Sequence, residues 1–186
     1  MNRKIQINTK NAFIYFYFQA FPSAGTCTGF DSGIVEYNDY LLNDALRSAD
    51  DHIAFTWLLK ERSTQKVTSY MSLIMDSIKL SFSEKELHNL NYPFKTIPSM
   101  KIAKLAVDCN FSKKYKGIGT FMINSAERVA WACNNQYCAA RFLTVDADIE
   151  HDKGVLAFYE KNGFIQNTEL YNKNRKVISM RRDIFR

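Results

Sequence analysis

The chain has 186 residues, of which 46% are hydrophobic and 24% are charged, so we expect one globular domain spanning residues 1–186. Its 14 Phe and 10 Tyr, against 7 Gly and 3 Pro, exclude long disordered stretches and favour strands with packed aromatic faces. The net charge of +6 indicates an anionic partner, which leaves a phosphorylated cofactor, nucleic acid and an acidic surface all open.

The basic residues are scattered along the chain, with three small clusters. Each cluster fits either a solvated face or an anion-binding role. The clusters are Lys113, Lys114 and Lys116; Lys173, Arg175 and Lys176; and Arg181 and Arg182.

Neither the cysteines nor the histidines form a metal-binding or disulfide pattern. The four cysteines lack a paired framework and the close CxxC spacing of a zinc site. The histidines lie far apart in sequence, so no metal cofactor is predicted. Reduced thiols indicate a cytoplasmic protein. The residues concerned are Cys27, Cys109, Cys133 and Cys138, and His52, His88 and His151.

The N-terminal segment imitates a secretory signal peptide, because the basic residues 1–10 precede an apolar stretch over 11–24. The run Ala12–Phe18, however, alternates Tyr with Phe, where a signal peptide would favour Leu and Ala. This favours a buried or edge strand, followed by a loop over Phe21–Gly33. No stretch approaches the ~20 apolar residues of a membrane-spanning helix.

A helix and a strand pair are predicted next. Apolar residues recur at helical spacing over Val35–Ala49, with polar residues on the opposite face. The segments His52–Leu59 and Val67–Met75 are rich in β-branched and aromatic residues, and the polar stretch Lys60–Lys66 between them suits a turn. Two antiparallel strands are therefore expected.

A short helix is predicted over Ser83–Leu90. Ser83 stands three residues ahead of Glu86, which is the spacing of a capping box. The segment Asn91–Pro98 then ends this helix.

The next part of the chain has the pattern of a strand, a helix and a strand. Met100–Asp108 is a nearly continuous apolar strand, and a long amphipathic helix follows over about Gly117–Asn134. The apolar segment Cys138–Val145 is the second strand. Such a unit requires a right-handed crossover and a parallel strand pair.

The C-terminal part of the chain predicts one more helix and a strand pair. The helix, about Asp152–Lys161, is closed by Asn162 and Gly163, which suit a left-handed C-terminal cap. Phe164–Leu170 and Lys176–Met180 are expected to form an antiparallel pair.

The segment Lys114–Thr120 lies where a strand ends and a long helix begins. Gly117 and Gly119 would let backbone N–H groups converge on an anion, and the first turn of the helix adds unpaired donors. A diphosphate fits such a site. Glycine pairs also occur in turns for steric reasons alone, so both interpretations stay open. The segment is neither a P-loop nor a full GxGxxG fingerprint.

The segment Ile97–Asp108 and the KGIG turn after it resemble motif A of the GNAT N-acetyltransferases. The family pattern Q/R-x-x-G-x-G/A maps onto Lys114, Gly117 and Gly119, with Lys in place of Gln or Arg at the first position.

The segment Val155–Phe164, which reads VLAFYEKNGF, resembles the second signature of this family, a helix followed by the start of a strand. The two signatures occur in the family's order, with Phe142–Val145 as the intervening strand. Together they cover roughly Ile97–Leu170.

The resemblance implies an α/β (α+β) fold: a mixed, mostly antiparallel sheet of six to seven strands, splayed in the middle, with flanking helices. It implies acetyl-CoA as the acetyl donor, with pantetheine along a strand and the diphosphate in the glycine turn. The expected contact residues are Leu105, Ala106, Val107, Lys114, Tyr115, Lys116, Gly117, Ile118, Gly119, Thr120 and Phe158.

Tyr159 matches the tyrosine that often acts in this family as the general acid. Its hydroxyl would protonate the departing coenzyme A thiolate, whose pKa is near ~8.5. The alternative is that Tyr159 has only a structural role, as an aromatic residue that packs beside Phe158.

The general base, which would take the proton of the acceptor amine, is left open. Asp108, Asp146 and Asp148 are candidates by position, and each also fits a cap or turn residue.

The N-terminal half resembles the GNAT toxins of toxin–antitoxin pairs, which acetylate the amino group of aminoacyl-tRNA. The resemblance lies in Gly29–Gly33, in Tyr37–Leu41 with Ala45, and in Val67–Leu73. Two features depart from it. Ser69 stands where a glycine is expected, and Ile78–Ile97 has no assigned counterpart.

The favoured function is therefore acetyl transfer from acetyl-CoA to aminoacyl-tRNA, with a possible antitoxin partner, a possible homodimer and no membrane association. One alternative is acetylation of a small amine, a protein N-terminus or a lysine. The other is a catalytically silent GNAT domain that binds acyl-CoA. Basic patches agree with a tRNA acceptor, because phosphate contacts dominate such binding.

Overall fold

The computed structural model of the protein describes residues 4–20, 27–167 and 176–185. The helices and strands alternate along the chain. In order they are β1 (Ile5–Gln6), α1 (Ala12–Tyr15), β2 (Phe16–Ala20), α2 (Val35–Asp39), a π-helical segment (Tyr40–Asp44), α3 (Ala45–Asp50), β3 (Phe55–Glu61), β4 (Val67–Lys79), α4 (Phe82–Leu87), β5 (Thr96–Val107), α5 (Cys109–Lys114), β6 (Tyr115–Lys116), α6 (Ile118–Gln136), β7 (Phe142–Asp148), α7 (Val155–Lys161), β8 (Ile165–Gln166) and β9 (Val177–Asp183).

Seven of the strands form one sheet in the order β2-β3-β4-β5-β7-β9-β8. Strands β2 and β3, β3 and β4, β7 and β9, and β8 and β9 pair antiparallel. Strands β1 and β6 form a separate two-stranded parallel ladder, which was not expected from the sequence. The mixed, mostly antiparallel sheet with helices confirms the predicted fold class.

The strand, helix and strand unit is confirmed, since β5 and β7 are parallel. Their paired residues run from Ser99 opposite Phe142 to Ile102 opposite Val145. Strand β5 continues to Val107 beyond the last of these pairs. An interrupted parallel pair of this kind is what the predicted splay requires.

The chain divides into two compact units. Unit 1 comprises residues 1–74 and 103–125, and unit 2 comprises residues 75–102 and 126–186. Each unit has a buried apolar cluster. In unit 1 the cluster contains Cys27, Phe30, Leu41, Ala45, Leu58, Val67, Tyr70 and Ala106; in unit 2 it contains Ile78, Leu80, Leu90, Ile97 and Phe142.

The N-terminal prediction was correct in type but wrong in its bounds. The strand begins at Phe16, pairs with β3 and stands at the edge of the sheet, whereas Ala12–Tyr15 is helical. The Asn8 side chain accepts hydrogen bonds from the Lys10 and Asn11 amides at 2.9 and 3.2 Å, and this turn initiates the helix. Residues 21–26 of the predicted loop lie outside the described residues.

The helix predicted over Val35–Ala49 is confirmed, with a π-helical segment in its middle. The capping box predicted for α4 was wrong by two positions along the chain. Ser81 is the N-cap, and its hydroxyl accepts from the Glu84 amide while the Glu84 carboxylate accepts from the Ser81 amide. Strand β7 begins at Phe142, later than the predicted Cys138.

The strand pair predicted at the C-terminus is confirmed for β8 and β9. Residues 168–170 of the first predicted strand lie outside the described residues, as do Lys173 and Arg175 of a predicted basic cluster. None of the helices described is both long enough and apolar enough to cross a membrane.

Candidate functional site

Gly117 is held in a backbone conformation that favours glycine. Its φ is +98°, and a Cβ atom there would lie 2.7 Å from the carbonyl oxygen of Ile7. The neighbouring Ile7 amide donates to the Lys116 carbonyl at 2.7 Å, which extends the β1–β6 ladder. The glycine turn therefore lies between β6 and α6 and packs against the N-terminal strand.

Helix α6 begins directly after this turn and runs for 19 residues. The Phe121 amide donates to the Gly117 carbonyl at 2.9 Å. Phe121 is the first residue whose amide donates to a carbonyl of the residue four positions earlier. The amides of Ile118, Gly119 and Thr120 come before it, so they have no acceptor within the helix. These donors and the partial positive charge of the helix N-terminus suit an anion.

Lys114 directs its ammonium group to a buried carboxylate. Its Nζ lies 2.7 Å from Glu61 Oε1, which also accepts from the Tyr115 hydroxyl at 2.6 Å, and Thr64 donates to Oε2 at 2.7 Å. Burial acts to raise the pKa of Glu61, but these hydrogen bonds outweigh it and lower the pKa to about 2. The hydrogen bond to Glu61 also raises the pKa of Lys114.

The predicted contact residues Leu105, Ala106 and Val107 form the end of β5. Ser69 Oγ donates to the Ala106 carbonyl at 2.6 Å. Ser69 is the residue found where a glycine was expected, so the departure from the family pattern supplies a hydrogen bond that glycine could not make. Its effect is to fix the backbone of the predicted contact strand.

The three candidate bases all have structural partners. Asp108 is the N-cap of α5, and its carboxylate accepts from the amides of Asn110 at 2.8 Å and Asp31 at 2.9 Å. Asp146 is paired with Lys101 at 2.6 Å, and Asp148 with His151 at 2.8 Å. Their role as a base stays a prediction.

Tyr159 and Phe158 lie on α7, in unit 2. The Tyr159 side chain is buried, and its ring packs edge-on against Phe158 and Phe164 at centroid distances of 5.1 and 5.2 Å. Asn162 and Gly163 end this helix as predicted, with a φ of +81° at Gly163. The packing fixes the ring and leaves the catalytic role as a prediction.

The end of β5, the glycine turn and the start of α6 all lie in unit 1. Sequence patterns did not indicate Glu61, which organises Lys114 and Tyr115 from a distant strand. The described residues contain no cluster of three or more His, Cys, Asp or Glu side chains that could hold a metal ion.

No protein-family model and no curated protein matches the sequence. Solved structures do match the fold. A tyrosine-to-phenylalanine mutant of KacT is 23% identical with a TM-score of 0.71, over 89% of this chain and 94% of KacT. AtaT complexed with acetyl-methionyl-tRNAfMet is 21% identical with a TM-score of 0.70, over 88% of this chain and 93% of AtaT.

A third structure is a tyrosine-to-phenylalanine mutant of the AtaT toxin, bound to acetyl-CoA and to the C-terminus of the antitoxin AtaR. It is 20% identical with a TM-score of 0.67, over 89% of this chain and 92% of the toxin chain. These likenesses extend over nearly the whole length of both partners. The chain therefore has the fold of KacT and AtaT, which confirms the GNAT fold predicted from its two sequence signatures.

Proposed function

We propose that the protein is an acetyl-CoA-dependent N-acetyltransferase whose acceptor is the amino group of aminoacyl-tRNA, acting as the toxin of a toxin–antitoxin pair. The glycine turn before α6 is the observation that carries the proposal, because its φ of +98° and the helix N-terminal amides that follow it suit a diphosphate. The complexes of AtaT with acetyl-CoA, with acetyl-methionyl-tRNAfMet and with AtaR support the donor, the acceptor and the partner.

The residues present fit an acetyl-CoA substrate. Ile118, Gly119 and Thr120 offer backbone donors for the diphosphate, and the positively charged Lys113 and Lys116 stand beside the turn in sequence. Lys114 contributes through the turn's structure, since its ammonium group binds Glu61. The backbone of Leu105–Val107 would hold the pantetheine amides.

Tyr159 is the proposed general acid. The acceptor nitrogen attacks the thioester carbonyl carbon and a C–N bond forms. As the tetrahedral intermediate collapses, the C–S bond breaks, and the Tyr159 hydroxyl gives its proton to the thiolate sulfur. The amine proton leaves to water or to a base. Removing only the hydroxyl should therefore slow transfer and spare binding.

Transfer assays with labelled acetyl-CoA test the proposal. The acceptors are charged tRNA, uncharged tRNA, polyamines and peptides, each supplied separately. We expect label on charged tRNA alone. Tyr159→Phe should lower the rate by roughly 10²-fold or more, the usual contribution of a general acid, with acetyl-CoA affinity unchanged in calorimetry. Tyr137→Phe is the matched control, since Tyr137 is exposed beyond the end of α6.

Three results would each contradict one part of the proposal. Absence of acetyl-CoA binding would remove the donor. Label on polyamines or peptides, but not on charged tRNA, would replace the acceptor. Equal rates for Tyr159→Phe and Tyr137→Phe would remove the general acid and leave the transferase assignment standing.

A further inference from the structure

Exposed aromatic side chains are concentrated in the 78–97 segment of unit 2. Phe82 is 78% exposed, Tyr92 57% and Phe94 63%. An open cavity of about 680 Å³ lies on this segment, lined by Phe82, Lys85, Glu86, Asn89, Leu90, Asn91 and Tyr92. Exposed apolar patches rimmed by polar groups mark recognition sites. We call this feature the 82–95 surface.

The inner side of the 82–95 surface is firmly attached to unit 2. Glu84, from the capping box of α4, accepts from Arg181 at 2.7 Å, and His88 Nδ1 lies 2.9 Å from Asp183 Oδ2. All four of these side chains are buried. The exposed rings therefore project from a fixed scaffold, which reduces the conformational entropy lost when a ligand binds.

Two rings of the surface already stack on each other. Tyr92 and Phe94 have centroids 6.3 Å apart and ring planes inclined by 19°. Lys85 Nζ donates to the Phe94 carbonyl at 2.9 Å and so ties this aromatic segment to α4. Phe82, which also lines the cavity, is the most exposed of the three rings. The open cleft thus presents two aromatic faces, those of Phe82 and Tyr92, and Phe94 stacks beside Tyr92.

Polar groups with a specific chemistry line the same cleft. Asn89 and Asn91 are exposed, and each carries an amide that can donate and accept at once. Lys85 in the cleft lining contributes positive charge, against the exposed carboxylate of Glu86 in the same lining, and Lys95 adds a second exposed ammonium group on the segment that follows the cleft residues in sequence. Stacking faces, paired amide donors and acceptors, and ammonium groups match the faces, edges and phosphates of unpaired nucleotides.

We propose that the 82–95 surface binds single-stranded RNA, with bases stacked against Phe82 and Tyr92 and base edges bonded to the asparagine amides. The proposal deepens the proposed function and rests on it for the identity of the RNA, since tRNA carries its aminoacyl group on unpaired 3′ nucleotides. An apolar protein partner would need the rings, but it would make little use of two amides and two lysines.

Fluorescence anisotropy tests the proposal without acetyl-CoA. The probe is a labelled single-stranded RNA of about eight nucleotides ending in CCA, and the same strand paired with its complement is the comparison. We expect the single strand to bind more tightly than the duplex. Phe82→Ala and Tyr92→Ala should each weaken binding about tenfold, the loss expected for one stacked base. Lys95→Gln should reduce the salt dependence.

Tyr137→Ala is the matched control, because its ring is 81% exposed on the same unit and should leave RNA binding unchanged. The exposed positions of Phe82 and Tyr92 should leave the thermal transitions of all three variants alike. Equal binding of single strand and duplex would overturn the proposal. So would equal effects of the three alanine variants, or a concentration-dependent dimer that Phe82→Ala abolishes without changing RNA binding.

The outcome is separable from that of the proposed function. RNA binding that depends on Phe82 and Tyr92 in a protein that transfers no acetyl group would support this surface and refute the transferase. Normal transfer to charged tRNA by Phe82→Ala and Tyr92→Ala, with unchanged RNA affinity, would refute the surface and keep the transferase.

Discussion

Replacing Gly117 by alanine tests whether the glycine turn depends on its unusual conformation. A side chain at φ +98° costs about 1–2 kcal/mol in backbone energy. The new Cβ would lie 2.7 Å from the Ile7 carbonyl oxygen, so β1 must move, and the Ile7–Lys116 hydrogen bond worth about 1 kcal/mol is weakened. The entropy that alanine removes from the unfolded chain offsets about 0.4–1 kcal/mol.

The net destabilisation should be about 1–3 kcal/mol, which lowers Tm by roughly 2–12 °C in a chain of this length. Gly29→Ala is the control, because Gly29 also has a positive φ, +82°, but no atom lies within 4 Å of its added Cβ. Thermal unfolding followed by circular dichroism, and calorimetry with acetyl-CoA, compare the two variants. If Gly117→Ala is as stable as Gly29→Ala and binds acetyl-CoA with the same affinity, then the close approach of Gly117 to Ile7 affects neither stability nor binding.

Three further changes follow from buried charges and caps. Because the pKa of Glu61 is lowered to about 2, its ionised form stabilises the fold above pH 4.5, and this contribution is lost as the pH falls toward about 2. In Glu61→Gln the urea midpoint should therefore depend less on pH between pH 5 and 3. The same pH dependence in both proteins would contradict this. Arg181→Met should lower the free energy of unfolding in urea by about 3–5 kcal/mol, because the buried carboxylate of Glu84 loses its partner, and adding Glu84→Gln should recover part of this loss. Arg182 is more exposed, so Arg182→Met should lower it by about 1 kcal/mol or less. Asp108→Ala should cost about 1–2 kcal/mol and speed amide exchange at the start of α5, and unchanged exchange would show that the cap is unimportant.

The fold was largely predictable because the sequence contains long apolar runs and clear helical spacing of apolar residues. Strand β5, helix α6 and the Asn162–Gly163 cap of α7 all carry strong local signals. The start of α4 was not predictable in the same way. Ser81 and Ser83 each stand three residues ahead of a glutamate, so both fit a capping box.

Distant contacts decided what local patterns left ambiguous. Glu84 is selected over Glu86 because it also pairs with buried Arg181, almost a hundred positions away. Glu61 and Lys114 are likewise brought together by folding, and no sequence spacing records that pair. The positions of the glycine turn and of strand β5 were predictable, whereas the bonds of Glu61 to Lys114 and Tyr115 were not.

The pairing of β1 with β6 ties residues 5 and 6 to the glycine turn. A deletion of the first several residues would therefore remove the backbone that packs against the glycine turn, and it would change the shape of that turn without altering any of its own residues. A truncated protein that binds acetyl-CoA less tightly would therefore have lost a structural support of the turn. For the same reason, acetyl-CoA affinities are best measured with a purification tag at each terminus in turn and then compared.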